Sequence, residues 1–362
     1  MLVYIGYFLF LLLGALVLGG QKAKEYLMLA MFFLCLIIGF RSLEVGVDTS
    51  GYVDDFFQLS ILNSEELSNK MQENKEPLYI LCSWLIGNFS TSSTVYTFFW
   101  AMFPCFALYI FLKDEITWAR GIFISILCLF ALGLFAFFVA GIRQTAAISI
   151  VILAYSYLVR NEIEYNLSFL CSYRFVIFCL LMYLAYNFHN SSVLFLIVLP
   201  LLKMKISWWY YPFVISLFFV GRFFSIEHLV KMSSLFFEDR FATYGTVYES
   251  SQSISAFLMQ LILFTICFLQ RDNLIYKDPR NGYLFNIMLV GLVFQSFSGM
   301  IYEMARIAFY FSIFAIILVP KAIEEYSPKI RDLLYIGMGV LLLVYLFLLS
   351  GSNLPKYSSA LF

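Results

Sequence analysis

Three polar residues of this chain carry side chains that commonly move protons in enzymes. His189 provides an imidazole, and Glu76 and Asp48 provide carboxylates. Either kind of group acts as a general base when it lies within hydrogen-bonding distance of a hydroxyl. We therefore interpret His189, Glu76 and Asp48 as candidate catalytic residues, or as partners of sugar hydroxyls. The sequence leaves open which of them is the base.

Three arginines form a second chemical group. Arg143 interrupts an apolar run from Gly121 to Leu158, and Arg41 and Arg306 each lie at the edge of another apolar run. An ionisable side chain in or beside a membrane span is costly and is therefore a functional candidate. The guanidinium group presents a rigid fork of donors that suits phosphate oxygens. We expect Arg143, Arg306 and Arg41 to form a cradle for a lipid-linked pyrophosphate.

Four further side chains accompany these groups and are candidates for substrate binding. Tyr52 and Tyr79 lie in the same two segments as the carboxylates, and their rings can stack on sugars. Gln144 directly follows the arginine in the long apolar run. Tyr310 comes four residues after Arg306, so that the two side chains share one face of a helix.

Each of these polar groups also has a purely structural interpretation. Asp48 can cap the start of a helix, and Glu76 can complement the dipole of the helix that follows it. Arg143 can extend to the membrane interface, and Glu303 can neutralise Arg306. Since each group alone is ambiguous, the functional interpretation depends on their convergence at one face of the membrane.

The elements that must position these residues are membrane helices. Of the 362 residues, 62% are hydrophobic and 13% are charged, whereas about 25% are charged in a typical soluble domain. Uncharged stretches alternate with short charged breaks, which is the pattern of spans joined by loops. We predict an all-α polytopic integral membrane protein with about twelve transmembrane helices. The predicted spans are 2–20, 25–40, 94–112, 119–140, 142–159, 174–188, 189–202, 206–224, 253–270, 282–300, 304–320 and 332–350.

One further apolar stretch, Pro77 to Phe89, is too short to cross a bilayer comfortably, and we predict a short re-entrant or interfacial helix there. If it does not cross and the N-terminus lies outside, most Lys and Arg residues fall in inner loops, in agreement with the positive-inside rule. If it crosses, many of these residues fall outside, so the non-crossing arrangement is favoured. The five polar segments, around Asp48, Glu76, Arg143, His189 and Arg306, then all reach the outer face.

We predict a single polytopic membrane domain over residues 1–362, with long extracytoplasmic loops at 41–76 and 225–252. The 23 basic and 23 acidic residues balance, and no basic tail or patch indicates a nucleic-acid partner. No motif for a metal or a nucleotide stands out, so we expect neither a metal nor a cofactor.

The ordered set of polar motifs resembles the EpsG family of bacterial membrane proteins, a branch of the Wzy-type polysaccharide polymerases. The resemblance covers most of the chain in order and hydropathy, although residues 225–252 match nothing that we can place. The motifs are Arg41 with Val45-Gly46-Val47-Asp48-Thr49 and Tyr52, then Glu76-Pro77-Leu78-Tyr79, Ile142-Arg143-Gln144, His189-Asn190-Ser191, and Arg306 with Tyr310.

This resemblance implies a glycosyltransferase that polymerises repeat units of capsular or exopolysaccharide. Such an enzyme transfers the growing glycan from undecaprenyl pyrophosphate to the next lipid-linked unit. It implies a bacterial cytoplasmic membrane location, an active site on the extracytoplasmic face, and membrane lipid and a chain-length regulator as further partners. Two alternatives stay open: an O-antigen-ligase-like glycosyltransferase, and a flippase or other transporter of lipid-linked oligosaccharide.

Overall fold

The structure is a computed structural model that describes residues 1–18, 22–160, 169, 171–223, 254–299, 301–351 and 353–360. Within these residues the secondary structure is helical, apart from one isolated bridge between Arg41 and Ser359. The predicted loop at 225–252 lies outside the described residues. The all-α prediction is therefore confirmed for the part of the chain that the structure describes.

Eighteen α-helices lie within the described residues, and we number them in chain order. They are α1 (Leu2–Val17), α2 (Ala23–Gly39), α3 (Thr49–Ser60), α4 (Ser64–Glu73), α5 (Pro77–Phe89), α6 (Ser93–Leu112), α7 (Ala119–Ala131), α8 (Leu134–Ala140), α9 (Ile142–Leu158), α10 (Tyr173–Phe188), α11 (Val198–Leu201), α12 (Tyr210–Phe223), α13 (Ile254–Phe268), α14 (Arg271–Lys277), α15 (Arg280–Ser296), α16 (Tyr302–Ser312), α17 (Ala315–Glu324) and α18 (Pro328–Val344). A 3₁₀-helix covers Asn190–Ile197, and a π-helix, Tyr345–Leu349, extends α18.

Two helices, Ser93–Leu112 and Pro328–Leu349, are long and apolar enough to cross a membrane. Three pairs of helices, each bent at a short break, reach that length only if a pair is taken as one span, which gives up to five candidate spans in the described residues. These pairs are α7 with α8, α13 with α14, and α16 with α17. A helix of 17 residues extends only about 25 Å, compared with about 30 Å for a hydrocarbon core. The exact number of twelve spans is therefore not confirmed.

Helices occupy the positions of all the predicted spans, and α5 covers the stretch predicted as a short helix. Helices α3 and α4 lie in the segment predicted as the first long loop. The start of α3 was indicated only by Asp48 as a candidate cap, and α4 was not predicted. Asn63 and Glu66 form a capping box at the start of α4, whose only buried residue is Leu67. A helix so polar contains no apolar run, and its signal in the sequence is the capping box at its start.

The chain divides into two compact units, and we describe each by itself. Unit 1 comprises Met1–Phe195 and Pro328–Phe362, and unit 2 comprises Leu196–Ser327. In unit 1, α6 packs against α2 and α9, α9 packs against α10, and α3 and α4 pack on α5. In unit 2, α15 packs against α12, α13 and α16. The prediction of a single membrane domain stays a prediction.

The last described residues of unit 1 pair with the segment that follows α2. The amide of Ala360 donates to the carbonyl of Phe40, and the amide of Ser42 donates to the carbonyl of Ser358, both at 2.9 Å. Tyr4 donates its hydroxyl to the carbonyl of Pro355. This pairing brings residues near both ends of the sequence together around Arg41.

Helix α1 packs against α2 through a close approach between Gly14 and the Tyr26 ring. Tyr26 is 1% exposed and donates its hydroxyl to the Leu11 carbonyl at 2.6 Å. A Cβ atom on Gly14 would lie 2.2 Å from the ring atom Cε2, whereas a Cβ atom on Gly6 would meet nothing within 4 Å. The two glycines of α1 therefore form a matched pair for a packing test.

We expect Gly14→Ala to lower the stability of the purified protein in detergent by about 1–3 kcal/mol, because the ring must move in a filled core. Gly6→Ala adds the same methyl group in open space and is expected to leave stability unchanged or slightly raised. The measurement is thermal unfolding of both variants beside wild type. Equal melting temperatures for the two variants would contradict this account.

Candidate active site

Glu76 lies at the centre of a buried polar cluster in unit 1. It is the residue before α5, and Pro77 opens that helix, where its missing N–H costs nothing. The amide of Glu76 donates to the Asn74 side chain at 3.0 Å, which fixes the backbone at this point. The Glu76 side chain is only 10% exposed, so its two carboxylate oxygens need partners within the protein.

Arg143 provides the partner for one of these oxygens. It lies in the first turn of α9, after the break between α8 and α9, and its Nη1 donates to Glu76 Oε2 at 2.7 Å. The guanidinium group also lies over the rings of Tyr52 and Tyr79, with its central carbon 5.4 Å from each ring centre. Cation–π contacts of this kind hold a guanidinium in place without using its N–H groups.

His189 provides the partner for the other oxygen. It ends α10, and its Nδ1 lies 2.5 Å from Glu76 Oε1. Because the carboxylate can only accept, Nδ1 carries the proton of this bond, and Nε2 of the neutral ring is then a proton acceptor. The His189 side chain is 26% exposed. The cluster therefore joins a carboxylate, an imidazole with an acceptor nitrogen, and a guanidinium.

Aromatic side chains support this cluster from α3, α5 and α6. The rings of Tyr52 and Tyr79 meet edge to face at 5.8 Å, and the hydroxyls of Tyr79 and Tyr96 lie 3.0 Å apart. The Trp100 ring lies 5.7 Å from Tyr79 and 6.1 Å from Phe188, the residue before the histidine. Tyr96 and Trp100 were not predicted as site residues, because two aromatic residues are not distinctive in a chain with 20% aromatic residues.

The electrostatics of the cluster favour an ionised Glu76. Burial by itself would raise the pKa of the Glu76 carboxyl, because a charge loses its hydration there. Hydrogen bonds from His189 and Arg143, together with the positive charge of Arg143, outweigh burial, so that the pKa of Glu76 lies below its ordinary value of 4.5. Glu76 is therefore a carboxylate that orients its partners at neutral pH.

The cluster leaves room for contacts with a substrate. The Arg143 side chain is 36% exposed, and besides the bond to Glu76 it makes a longer one from Nε to the Tyr52 hydroxyl at 3.5 Å. A guanidinium has five N–H donors, so further donors can bind an anion. Arg143 and His189, held by one carboxylate, present an anion-binding group beside a proton acceptor.

Five of the sequence-predicted site residues thus meet in this cluster: Tyr52, Glu76, Tyr79, Arg143 and His189. Three others, Asp48, Gln144 and Arg41, also belong to unit 1 but are not part of the cluster. Asp48 precedes α3, is exposed and makes no capping hydrogen bond. Gln144 is 2% exposed in α9, directly after the clustered arginine. Arg41 is 2% exposed and donates to the backbone carbonyls of Ile38 and Val139.

Arg306 and Tyr310 belong to unit 2. Both lie on α16, where Arg306 is half-buried and Tyr310 is fully buried. Their spacing of four residues puts them on one face of that helix. Across the described residues, no group of three or more His, Cys, Asp or Glu side chains is placed to hold a metal ion.

The helical apolar segments are typical of a membrane protein, and the charged cluster at helix ends makes it one with a candidate functional site. The chain belongs to the EpsG family, whose family model matches residues 24–359, nearly the whole chain. EpsG is a family of Wzy-type polysaccharide polymerases, which confirms the resemblance identified from the sequence. No curated protein and no solved structure matches the chain.

The depressed pKa of Glu76 leads to a pH prediction. Ionised Glu76 contributes stability that is fully present above its unfolded pKa and is lost as the pH falls through the lower folded value. At pH 7 we expect Glu76→Gln to be less stable than wild type by about 2 kcal/mol, the contribution of hydrogen bonds to a charged group. The difference is expected to narrow as the pH falls below 4.5.

Unfolding of wild type and Glu76→Gln in detergent between pH 7 and pH 3 measures this difference. Both proteins share every other carboxylate, so the comparison isolates Glu76. Glu73→Gln, which removes an exposed carboxylate three residues earlier, serves as the matched control and is expected to follow wild type throughout. A difference between wild type and Glu76→Gln that stays constant with pH would contradict the assignment.

Proposed function

We propose that this protein polymerises lipid-linked oligosaccharide repeat units during capsular or exopolysaccharide synthesis. It transfers the growing glycan from undecaprenyl pyrophosphate to a hydroxyl of the next lipid-linked unit, on the outer face of the bacterial cytoplasmic membrane. The observation that carries this proposal is that Glu76 joins Arg143 and His189 in one cluster. Family membership supports the same reaction class.

In this reaction His189 is the general base. Its Nε2 removes the proton from the attacking hydroxyl of the acceptor sugar as that oxygen bonds to the anomeric carbon of the donor glycan. Glu76 accepts the hydrogen bond from Nδ1, which holds the ring in the required tautomer and stabilises the imidazolium that forms.

Arg143 acts on the leaving group. The bond between the anomeric carbon and the pyrophosphate oxygen breaks as the new bond forms, and negative charge develops on that oxygen. A guanidinium held by Glu76 and two tyrosine rings is preorganised to stabilise this charge. Arg306 stays a proposed pyrophosphate ligand. Gln144 and Tyr310 stay proposed substrate contacts, but both are buried, so a substrate could reach them only if the surrounding helices opened. Asp48 is proposed as a hydrogen-bonding partner of sugar hydroxyls.

The proposed topology has about twelve spans with the N-terminus outside, which places Glu76, Arg143 and His189 at the outer face. These residues lie at helix ends, since one precedes α5, one begins α9 and one ends α10. A transporter typically gathers polar groups along a path through the membrane midplane. The position of this cluster at helix ends favours an enzyme that works at the membrane surface.

We expect Arg143→Ala to abolish long polymer without preventing membrane insertion. Loss of one preorganised charge-stabilising group typically costs about 100- to 1,000-fold in rate. The measurement is glycan size on a gel, from a strain lacking this protein and complemented with wild type or variant. Arg120→Ala is the matched control, because Arg120 is an exposed arginine paired with exposed Asp332.

Ladders of normal length from Arg143→Ala at wild-type expression would refute the role of this arginine. If the wild-type protein instead joins one finished glycan to a different acceptor, it is a ligase. If lipid-linked units never reach the outer face in the deletion strain, the protein is a transporter.

His189→Gln is expected to insert and to bind lipid-linked donor, but to turn over about 100- to 10,000-fold more slowly, the usual contribution of a general base. Purified protein with defined donor and acceptor lipids separates turnover from substrate binding. An unchanged turnover number in His189→Gln would move the role of base to another residue.

A further inference from the structure

Just before the helix break that presents Arg143, the backbone carbonyl of Val139 is contacted by side chains from a distant segment of the chain. Helix α8 ends at Ala140, and α9 begins at Ile142, one residue before Arg143. Gly141 between them has a non-helical backbone conformation. The last carbonyls of a helix have no partner within it and must be satisfied from elsewhere. The carbonyl of Val139 is one of these, and its partners come from the segment between α2 and α3.

Arg41 supplies the first partner. Its Nη2 donates to the Val139 carbonyl at 2.9 Å, and its Nη1 donates to the Ile38 carbonyl at 2.6 Å. One guanidinium therefore links the C-terminal turn of α2 to the C-terminal turn of α8. A positive charge near these two helix ends also complements the negative ends of their dipoles.

Thr49 and Gly46 also lie against the Val139 carbonyl. The Thr49 hydroxyl lies 3.3 Å from the Val139 carbonyl and 2.8 Å from that of Val45. Gly46 has a φ of +97°, and a Cβ atom there would lie 3.0 Å from the Val139 carbonyl oxygen and 2.7 Å from the Thr49 hydroxyl. Glycine is thus required both by the backbone conformation and by the closeness of the carbonyl.

The Arg41 side chain is poorly placed to bind a substrate. The residue is 2% exposed, and two of its nitrogens are directed at backbone carbonyls. Its Nε is buried and has no hydrogen-bond partner in the described part of the chain. A pyrophosphate could reach this group only if the surrounding segment opened.

We propose that Arg41 is a positioning residue, which fixes the Val139 carbonyl and so holds the α8–α9 break in the orientation that directs Arg143 at Glu76. The same segment continues into α3, whose Tyr52 contacts the Arg143 guanidinium. The sequence expectation of Arg41 as a pyrophosphate ligand is replaced by this indirect role. The kinetic part of the proposal rests on the proposed function, whereas its structural part does not.

The structural part is tested by hydrogen–deuterium exchange of the full-length protein in detergent, followed in peptides that cover residues 137–147. We expect Arg41→Met to speed exchange at the α8–α9 break about tenfold. Arg41→Lys keeps the charge, but a single ammonium cannot reproduce a fork to two carbonyls, so nearly the same increase is expected. Arg120→Met is the matched control and should exchange as wild type does.

Thr49→Val provides a milder variant in case Arg41→Met does not fold. It removes the hydroxyl that contacts the same carbonyl and keeps the shape of the side chain. A two- to fivefold increase in exchange is expected over the same peptides. Unchanged exchange in Arg41→Lys and Thr49→Val would overturn the proposal, whatever the activity of these variants.

The kinetic part is tested with a double-mutant cycle between Arg41→Met and Arg143→Lys. If Arg41 acts through Arg143, the loss of turnover in the double variant is expected to be close to that of Arg143→Lys alone. Losses that multiply in full would mean that Arg41 contacts the substrate itself, and would overturn the positioning role. Near wild-type turnover in Arg41→Lys would do the same, because charge alone would then suffice.

The experiments test the structural role of Arg41 and the proposed function independently. If the wild type makes no polymer from defined lipid-linked units, the proposed function falls, and the exchange experiment still decides whether Arg41 holds the helix break. If exchange rises in the Arg41 variants while polymer synthesis is unaffected, the link to Arg143 is wrong although the proposed function stands.

Discussion

The ion-paired carboxylate of Glu76 is the interaction on which the candidate site depends. It is nearly buried, and a buried carboxylate is tolerated only where partners replace its lost hydration. Arg143 and His189 provide that replacement on opposite oxygens. Hydrogen bonds to such a charged group typically contribute about 2 kcal/mol, so the same bonds that arrange the chemistry also hold α5, α9 and α10 in place. Function and stability are therefore coupled at this residue.

The other recurrent constraint is that helix ends inside an apolar protein must find hydrogen-bond partners. At the end of α8 this demand is met by Arg41 and Thr49, which lie 98 and 90 residues earlier in the chain. At the start of α5 it is reduced by Pro77, which has no N–H group to satisfy. The polar motifs in the first third of the sequence thus serve helix ends as well as chemistry.

The sequence predicted the position of most helices and the identity of the central charged residues, but not how these residues are paired. Apolar runs are visible because a single uncharged stretch specifies a helix locally, whereas the polar α3 and α4 lack that signal. Glu76 lies 67 residues from Arg143 and 113 from His189, and local patterns carry no information on such distances. Arg41 shows the remaining difficulty: an arginine at the edge of an apolar run looks the same in sequence whether it faces a substrate or two backbone carbonyls.

The pairing of residues 40–42 with residues 358–360 has a consequence for the order in which the molecule is made. The serine side chains of this contact, Ser42 and Ser358, are 316 positions apart. Ribosomes add about 5–20 residues per second, so roughly half a minute separates the two segments during synthesis. Throughout that interval residues 40–42 lack the backbone hydrogen bonds that residues 358–360 later provide. The early segment of the nascent chain must therefore either be shielded by the insertion machinery or stay open until synthesis is nearly finished.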